Sequence, residues 1–375
     1  MITFYILGNF TTLFLILLLL VKKNKSRADK TLFIWLIIIF ITQLFHYLTY
    51  TEILYKYPHW LGIDMSMPIL VGVFLFFYTK EITGNKLASN WKTFLHFLPT
   101  VLLILFGIPF FKLTGPEKIT VFKSDGVGFE LYETINSITI EVSGLLYSIW
   151  SLIIIRKHQK KIRNNFSNIE KKNLQWLRFL SIGFGIIWLI VIFFDDLVVF
   201  SMVVIFVLCI GTFGINQLNI FNSNDQIITI PEDKPIEEQD LKKNSEIKNS
   251  KYSKSGLSKE TASEIYTDLK KLMNENAVYK NKEITLVELS KQLNVHPNYL
   301  SQIINEMEGK NFYNYINTLR INEFIKIASL PENKKFTMIS LAYDCGFSTK
   351  STFNRHFKLV TSKTPTEFFK SVNSN

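Results

Sequence analysis

The 375-residue chain has two cysteines, Cys209 inside an apolar run and Cys345 in a polar stretch far from it. A disulfide framework and a cysteine-based zinc site are both excluded by that count, and a reducing compartment suits the C-terminal part. Charge is scarce as well: charged residues make up 19%, against about 25% in an ordinary soluble protein. Hydrophobic residues reach 48% and gather in unbroken runs, which rules out one soluble globular domain. The sequence also lacks H-E-x-x-H, a paired-carboxylate helix and a repeated half, the marks of a membrane protease or an inverted-repeat transporter. No nucleotide loop, metal-ligand cluster or nucleophile arrangement occurs in its C-terminal part, so no catalytic residue, cofactor or metal is expected, and no enzymatic activity.

What charge there is comes in blocks. Residues 1–221 carry 20 Lys+Arg against 12 Asp+Glu, residues 222–250 carry 4 against 7, and residues 251–375 carry 18 against 12. The total of +11 is therefore two basic populations, of +8 and +6, with an acidic spacer between them. Each needs its own explanation.

The first block holds seven apolar stretches, about 2–21, 31–50, 63–79, 93–111, 134–155, 177–194 and 197–217. A helix needs roughly 20 mainly apolar residues to cross a bilayer, so the expectation for 1–221 is a seven-helix transmembrane bundle. The first stretch reads as a retained span, because its charges (Lys22, Lys23, Lys25, Arg27) follow the apolar core, whereas a signal peptide carries them before it. Short loops at 22–30, 80–92 and 156–176 hold 15 Lys+Arg, and those at 51–62, 112–133 and 195–196 hold 4. Basic loops stay inside. The N-terminus is accordingly expected outside and the C-terminal part in the bacterial cytoplasm, at the inner membrane, with the lipid bilayer as the first partner.

Polar residues within spans are expensive and point to function. Gln43, His46, Asp64, Glu141, Asp195 and Asp196 share one depth near the outer face, and are expected to line a shallow pocket for an outer or membrane ligand, a cation or an amine-bearing molecule. Pro68, Pro99 and Pro109 fall in or at the ends of spans, where kinks are tolerated. Residues 222–257, rich in Asn, Ser, Lys and Glu with Pro231 and Pro235, bury too little apolar surface to fold and read as a disordered, flexible linker.

From 258 onward the pattern is short amphipathic helices with cap signals. Ile265, Leu269, Leu272 and Met273 share one helical face. Thr285 and Glu288 form a capping box before Leu286, Leu289 and Leu293. Pro297 then opens a helix expected to bury Leu300, Ile303, Ile304 and Met307. Two such helices across a short turn make a helix-turn-helix. The arrangement recurs about 52 residues on, with Thr337 as cap, Met338, Leu341, Ala342 and Cys345 inward, a turn at Gly346, and Ser348 capping a helix that carries Phe353 and Phe357. A long helix from about Phe312 to Leu330 joins the two, and Thr364-Pro365-Thr366-Glu367 opens a closing one.

The run from Leu341 to Lys358, followed by Thr364-Pro365, resembles the signature of the AraC/XylS family of bacterial transcription factors, and Leu289 through Leu300 to Phe312 resembles that family's first unit. Ser362 stands where the family usually has glycine, and Ser290 where it has alanine. The resemblance implies an all-α domain over 258–375 whose two second helices enter successive major-groove faces of double-stranded promoter DNA. By position it assigns base reading to Asn298, Ser301 and Gln302 on the first, and to Lys350, Ser351, Asn354 and Arg355 on the second. Asn and Gln can pair with adenine, Lys and Arg with guanine. RNA polymerase is a further implied partner, and a homodimer formed through the spans or the helix at 258–274 would add avidity. The whole reads as a membrane-integral transcription regulator. A transporter or membrane enzyme with a regulatory DNA-binding appendage, and an anchored factor released by proteolysis at 222–258, are the alternatives.

Overall fold

In the computed structural model, which describes residues 2–214 and 258–373 apart from 86, 88, 89, 125, 171 and 195, every regular element is a helix. Among the described residues the sole strand-like feature is an isolated antiparallel bridge between Phe166 and Thr285. The fold class is all-α, as expected. The chain divides into two units: 2–158 with 174–214, and 159–173 with 258–373. The linker expected at 222–257 lies outside the described residues, as does Asp195.

In the first unit the apolar stretches become α1 (Ile2–Val21), α2 (Arg27–Tyr50), α3 (Met67–Ile82), α4 (Leu98–Phe106), α6 (Glu130–Asn165), α7 (Gln175–Phe193) and α8 (Asp196–Cys209), the last continuing as a π-helical turn over Ile210–Gly214. Of these, α1, α2, α6 and α7 are long and apolar enough to cross a membrane. The fourth stretch is broken instead of continuous, with short turns at Trp91–Phe94 and Ile108–Phe111 on either side of α4. Its prolines explain this. Pro68, Pro99 and Pro109 each occupy one of the first two positions of a helix, where the missing N–H costs nothing; they start helices, and no kink is needed. Residues 112–133 are also more than a loop: Thr114 and Glu117 form a capping box that opens α5 (Gly115–Lys123).

Small residues let these helices approach closely. Tyr147 of α6 lies against Gly72 of α3, Trp188 of α7 against Gly144, and the Ser148 hydroxyl donates to the Ser181 carbonyl at 2.6 Å. The start of α2 is secured by Ser26 and Asp29, a reciprocal cap in which the buried Asp29 carboxylate also accepts from Lys22 at 2.8 Å.

The second unit contains α9 (Lys259–Asn276), α10 (Leu286–Gln292), α11 (Pro297–Glu308), α12 (Phe312–Ala328), α13 (Met338–Asp344), α14 (Lys350–Thr361) and α15 (Pro365–Asn373). It has two cores. One gathers Leu269, Met273, Leu286, Leu289, Leu300 and Ile304 against Phe312 and Ile316; the other gathers Leu341, Cys345, Phe347, Phe353 and Phe357 against Ile321 and Phe324. The central helix α12 contributes to both. Met307 and Met338, expected inward, are exposed. Periodicity puts them on the inner faces, but they sit in the last turn of α11 and at the first residue of α13, where packing runs out. The cap of α14 is Thr349, which accepts from the Thr352 amide at 3.3 Å, and not Ser348.

Ser362 ends α14 in the left-handed region, with φ of 61°, a conformation that costs a residue with a Cβ about 1 kcal/mol relative to glycine. Ser362→Gly is expected to stabilise the C-terminal domain by about 0.5–1 kcal/mol in chemical denaturation.

Candidate nucleic-acid interface

Two helix-turn-helix units are built around α12. In the first, the Thr285–Glu288 capping box starts α10, the turn passes through Asn294 with φ of 52°, and the His296 ring accepts from the Asn298 amide at 3.2 Å to start α11. Asn is among the few residues at ease in that conformation. In the second, Thr337 caps α13, Gly346 turns the chain with φ of 96°, and Phe347 is buried beneath α14. A Cβ on Gly346 would lie 2.7 Å from the Lys280 carbonyl oxygen, so glycine is required there for space as well as for conformation.

With the apolar faces turned inward, the outer faces of α11 and α14 present polar side chains. Asn298 is exposed, and Ser301 and Gln302 are half-buried, Gln302 donating to Glu306 at 3.2 Å. Lys350, Ser351, Asn354 and Arg355 are all exposed on α14. Each candidate base reader therefore lies outside the two cores. The guanidinium of Arg355 donates to the Tyr313 hydroxyl and lies over its ring.

One residue escaped the sequence reading. Arg320, at the middle of α12, is 2% exposed. Its Nε donates to the Tyr279 carbonyl at 2.7 Å and its Nη2 to the Asn281 carbonyl at 2.8 Å, while Nη1 reaches Asn317 Oδ1 at 3.2 Å. Burial lowers its pKa to about 10, so it stays charged at neutral pH. A signal existed: Ile316, Arg320 and Phe324 are spaced four apart, which puts a charge on the apolar stripe of a helix.

His356 is buried against the Tyr313 ring at a centroid distance of 4.9 Å. Burial, then the charges of Arg355 and Arg320, push its pKa down to about 3. Cys345 is buried too, its thiol pushed up to about 12, an inert core group.

In the first unit the structure joins two of the outer polar candidates. His46 Nδ1 is 3.5 Å from Asp64 Oδ2. Gln43, one turn earlier on α2, is buried against Gly8 with both polar side-chain atoms unpartnered. Glu141 is half-buried on α6 and makes no ion pair or hydrogen bond with the others. The side chain of Asp196 lies outside the described residues. A cavity of about 220 Å³ opens elsewhere, lined by Phe110, Phe122, Phe129, Tyr132 and Glu133 beside Gly126. Gln43, His46, Asp64 and Glu141 do not line it; the aromatic content of 110–132 was its sequence signal.

Residues 289–371 match the family model of a helix-turn-helix domain. They are an AraC-type DNA-binding domain. The match runs from within α10 to α15, through both reading helices, and supports a DNA-binding transcription regulator. No curated protein and no solved structure matches the chain significantly.

Two outcomes are expected within this AraC-type domain. Arg320→Met keeps bulk but leaves the Tyr279 and Asn281 carbonyls unpaired, so the domain's denaturation midpoint should fall by the equivalent of about 2–4 kcal/mol. His356 stays neutral when folded, whereas the unfolded chain takes up a proton below about 6.5; stability should therefore decline as pH falls from 6.5 towards 3, by up to about 1.4 kcal/mol per unit. In denaturation series across that range, His356→Phe should flatten the decline.

Proposed function

We propose that the chain is a one-component transcription regulator integral to the membrane, which reads an outer or membrane signal with residues 1–221 and promoter DNA with residues 258–375. The carrying observation is the joining of an AraC-type domain to a unit whose long apolar helices leave their hydrophobic side chains uncovered. Phe10, Leu131, Phe179 and Phe193 are each more than 60% exposed, a surface that suits acyl chains and would be costly in water. The excess of Lys and Arg in the 22–30, 80–92 and 156–176 loops supports a cytoplasmic location for them and an outer N-terminus.

In this reading α11 and α14 enter successive major grooves, with Asn298, Ser301 and Gln302 on the first and Lys350, Ser351, Asn354 and Arg355 on the second contacting base edges or phosphates. The α11 face has no basic residue from 297 to 307 and ends in Glu306 and Glu308, so α14 supplies more of the attraction to the backbone. The cavity beside Phe110 and Glu133 is the site we favour for the signal: aromatic rings and a carboxylate together suit an apolar molecule with a positive charge.

Binding of the purified full-length chain to duplexes selected from random sequence tests the DNA part. Lys350→Ala and Arg355→Ala should each weaken the selected duplex by about 1–3 kcal/mol while changing non-specific binding less. Reporter fusions after residue 221 should be active only for a cytoplasmic reporter; an active periplasmic reporter there would refute the topology.

A further inference from the structure

The second unit is not made of the C-terminal residues alone. It includes residues 159–173, the end of α6 and the connection to α7, seated on the helix-turn-helix domain. Ser167 is the centre of this contact. Its amide donates to the Ile284 carbonyl at 3.3 Å, its own carbonyl accepts from Asn317 Nδ2 at 3.3 Å, and its hydroxyl accepts from Arg320 Nη2 at 3.3 Å. Asn168 donates to Glu283 at 2.7 Å and to the Ser348 hydroxyl at 3.1 Å. Ile162 and Ile169 bury themselves against the ring of Tyr313. Glu170 accepts from the hydroxyls of both Thr349 and Thr352, at the first turn of α14.

Electrostatics does not account for this seat. Residues 159–173 hold five basic side chains and one acidic one, on a domain that is itself basic. On the segment's side the contact is made by shape, uncharged hydrogen-bonding groups and one carboxylate, while Arg320 and Glu283 of the domain meet Ser167 and Asn168; the Glu170 carboxylate sits where a helix N-terminus attracts anions. Beside it lie Lys350, Ser351, Asn354 and Arg355. The Tyr313 hydroxyl that receives Arg355 belongs to the ring the two isoleucines cover.

We propose that residues 159–173 are an internal competitor of DNA: the docked segment occupies the N-terminal edge of α14 with Glu170 in the place of a backbone phosphate, and the domain binds its duplex when the segment leaves. This rests on the reading of α14 as a DNA-contacting helix. The occupant is part of the chain itself, and the connection that carries it lies between two apolar helices, α6 and α7, so a change in their packing would alter its hold.

The test uses the full-length chain in nanodiscs and a fluorescent duplex selected by the wild type at low salt. Glu170→Gln and Ile169→Asp should each tighten binding about tenfold at fixed salt, within the usual range of coupling between sites. Ile169→Asp is the decisive variant, because its added negative charge by itself weakens DNA binding. Hydrogen exchange should show residues 166–170 protected in the free protein and exposed once duplex is bound, with α12 protected in both. Unchanged or weaker binding by Ile169→Asp with α12 still protected, or protection of 166–170 that persists in the complex, overturns the competitor. Failure of the wild type and both variants to bind any duplex overturns the DNA-contacting reading, and the proposal with it.

Discussion

A buried guanidinium sets the geometry of the C-terminal domain. Arginine brings five N–H donors, no acceptor and a charge it does not lose at neutral pH, so taking it out of water requires acceptors placed in its plane. Arg320 obtains them from Tyr279 and Asn281, which lie between α9 and α10, from Asn317 on its own helix, and from Ser167. Phe347 covers its face, and Gly346 leaves the room, since a Cβ there would come within 3.0 Å of Nε. The approach to the first helix-turn-helix, the turn of the second and the central helix thus converge on one charge. Because α12, with Arg320 at its middle, contributes to both cores, the two helix-turn-helix units share one helix and one buried charge.

The first unit meets a different constraint. Its long apolar helices leave large hydrophobic side chains exposed as well as buried, so hydropathy alone does not single out one packing, and close approach comes from shape. Gly72, Gly144, Gly185, Ser148 and Ser181 provide it, each where an aromatic ring or hydroxyl of a neighbouring helix fits. Aromatic rings fill what remains. Trp35 is fully buried and meets Tyr78 and Phe206, with centroids 5.9 and 6.0 Å away. Some polar atoms inside, such as both side-chain atoms of Gln43, lack partners, as expected where only a specific neighbour can supply one.

Most of the architecture was legible because long apolar runs and capping residues act locally. The Thr285–Glu288 and Thr364–Glu367 caps, the break at Gly346 and the inward Phe353 and Phe357 all follow from spacing alone. What spacing did not convey was tertiary. Whether the fourth apolar stretch is one helix or several turns depends on how Pro99, Gly107 and Pro109 are accommodated, and hydropathy is blind to that. Met307 and Met338 continue a correct pattern past the point where any neighbour covers them. The outer polar residues were grouped by depth, yet depth says nothing about azimuth around a helix, so His46 meets Asp64 while Glu141 does not join them. Arg320 was readable as an anomaly on an apolar stripe, but its acceptors, Tyr279 and Asn281, lie about 40 positions away, and no local rule links them.

The seat of residues 159–173 also differs from DNA binding in its dependence on salt. Duplex binding draws on the release of counterions and weakens steeply as ionic strength rises. Ile162 and Ile169 make an apolar seat, and Ser167 and Asn168 bring no charge of their own to Arg320 and Glu283; contacts with a charge on one side at most are screened by salt less than a pairing of basic side chains with phosphates. In a competition between the two, rising ionic strength favours the docked segment, so the competitor we propose would be most effective under the same conditions in which non-specific DNA binding is already weak. Only a duplex with good base contacts to α11 and α14 would then retain enough affinity to displace it. On this reasoning an internal competitor sets a threshold: it removes a similar amount of affinity from every duplex, leaving the ratios between them unchanged and only the best ones bound.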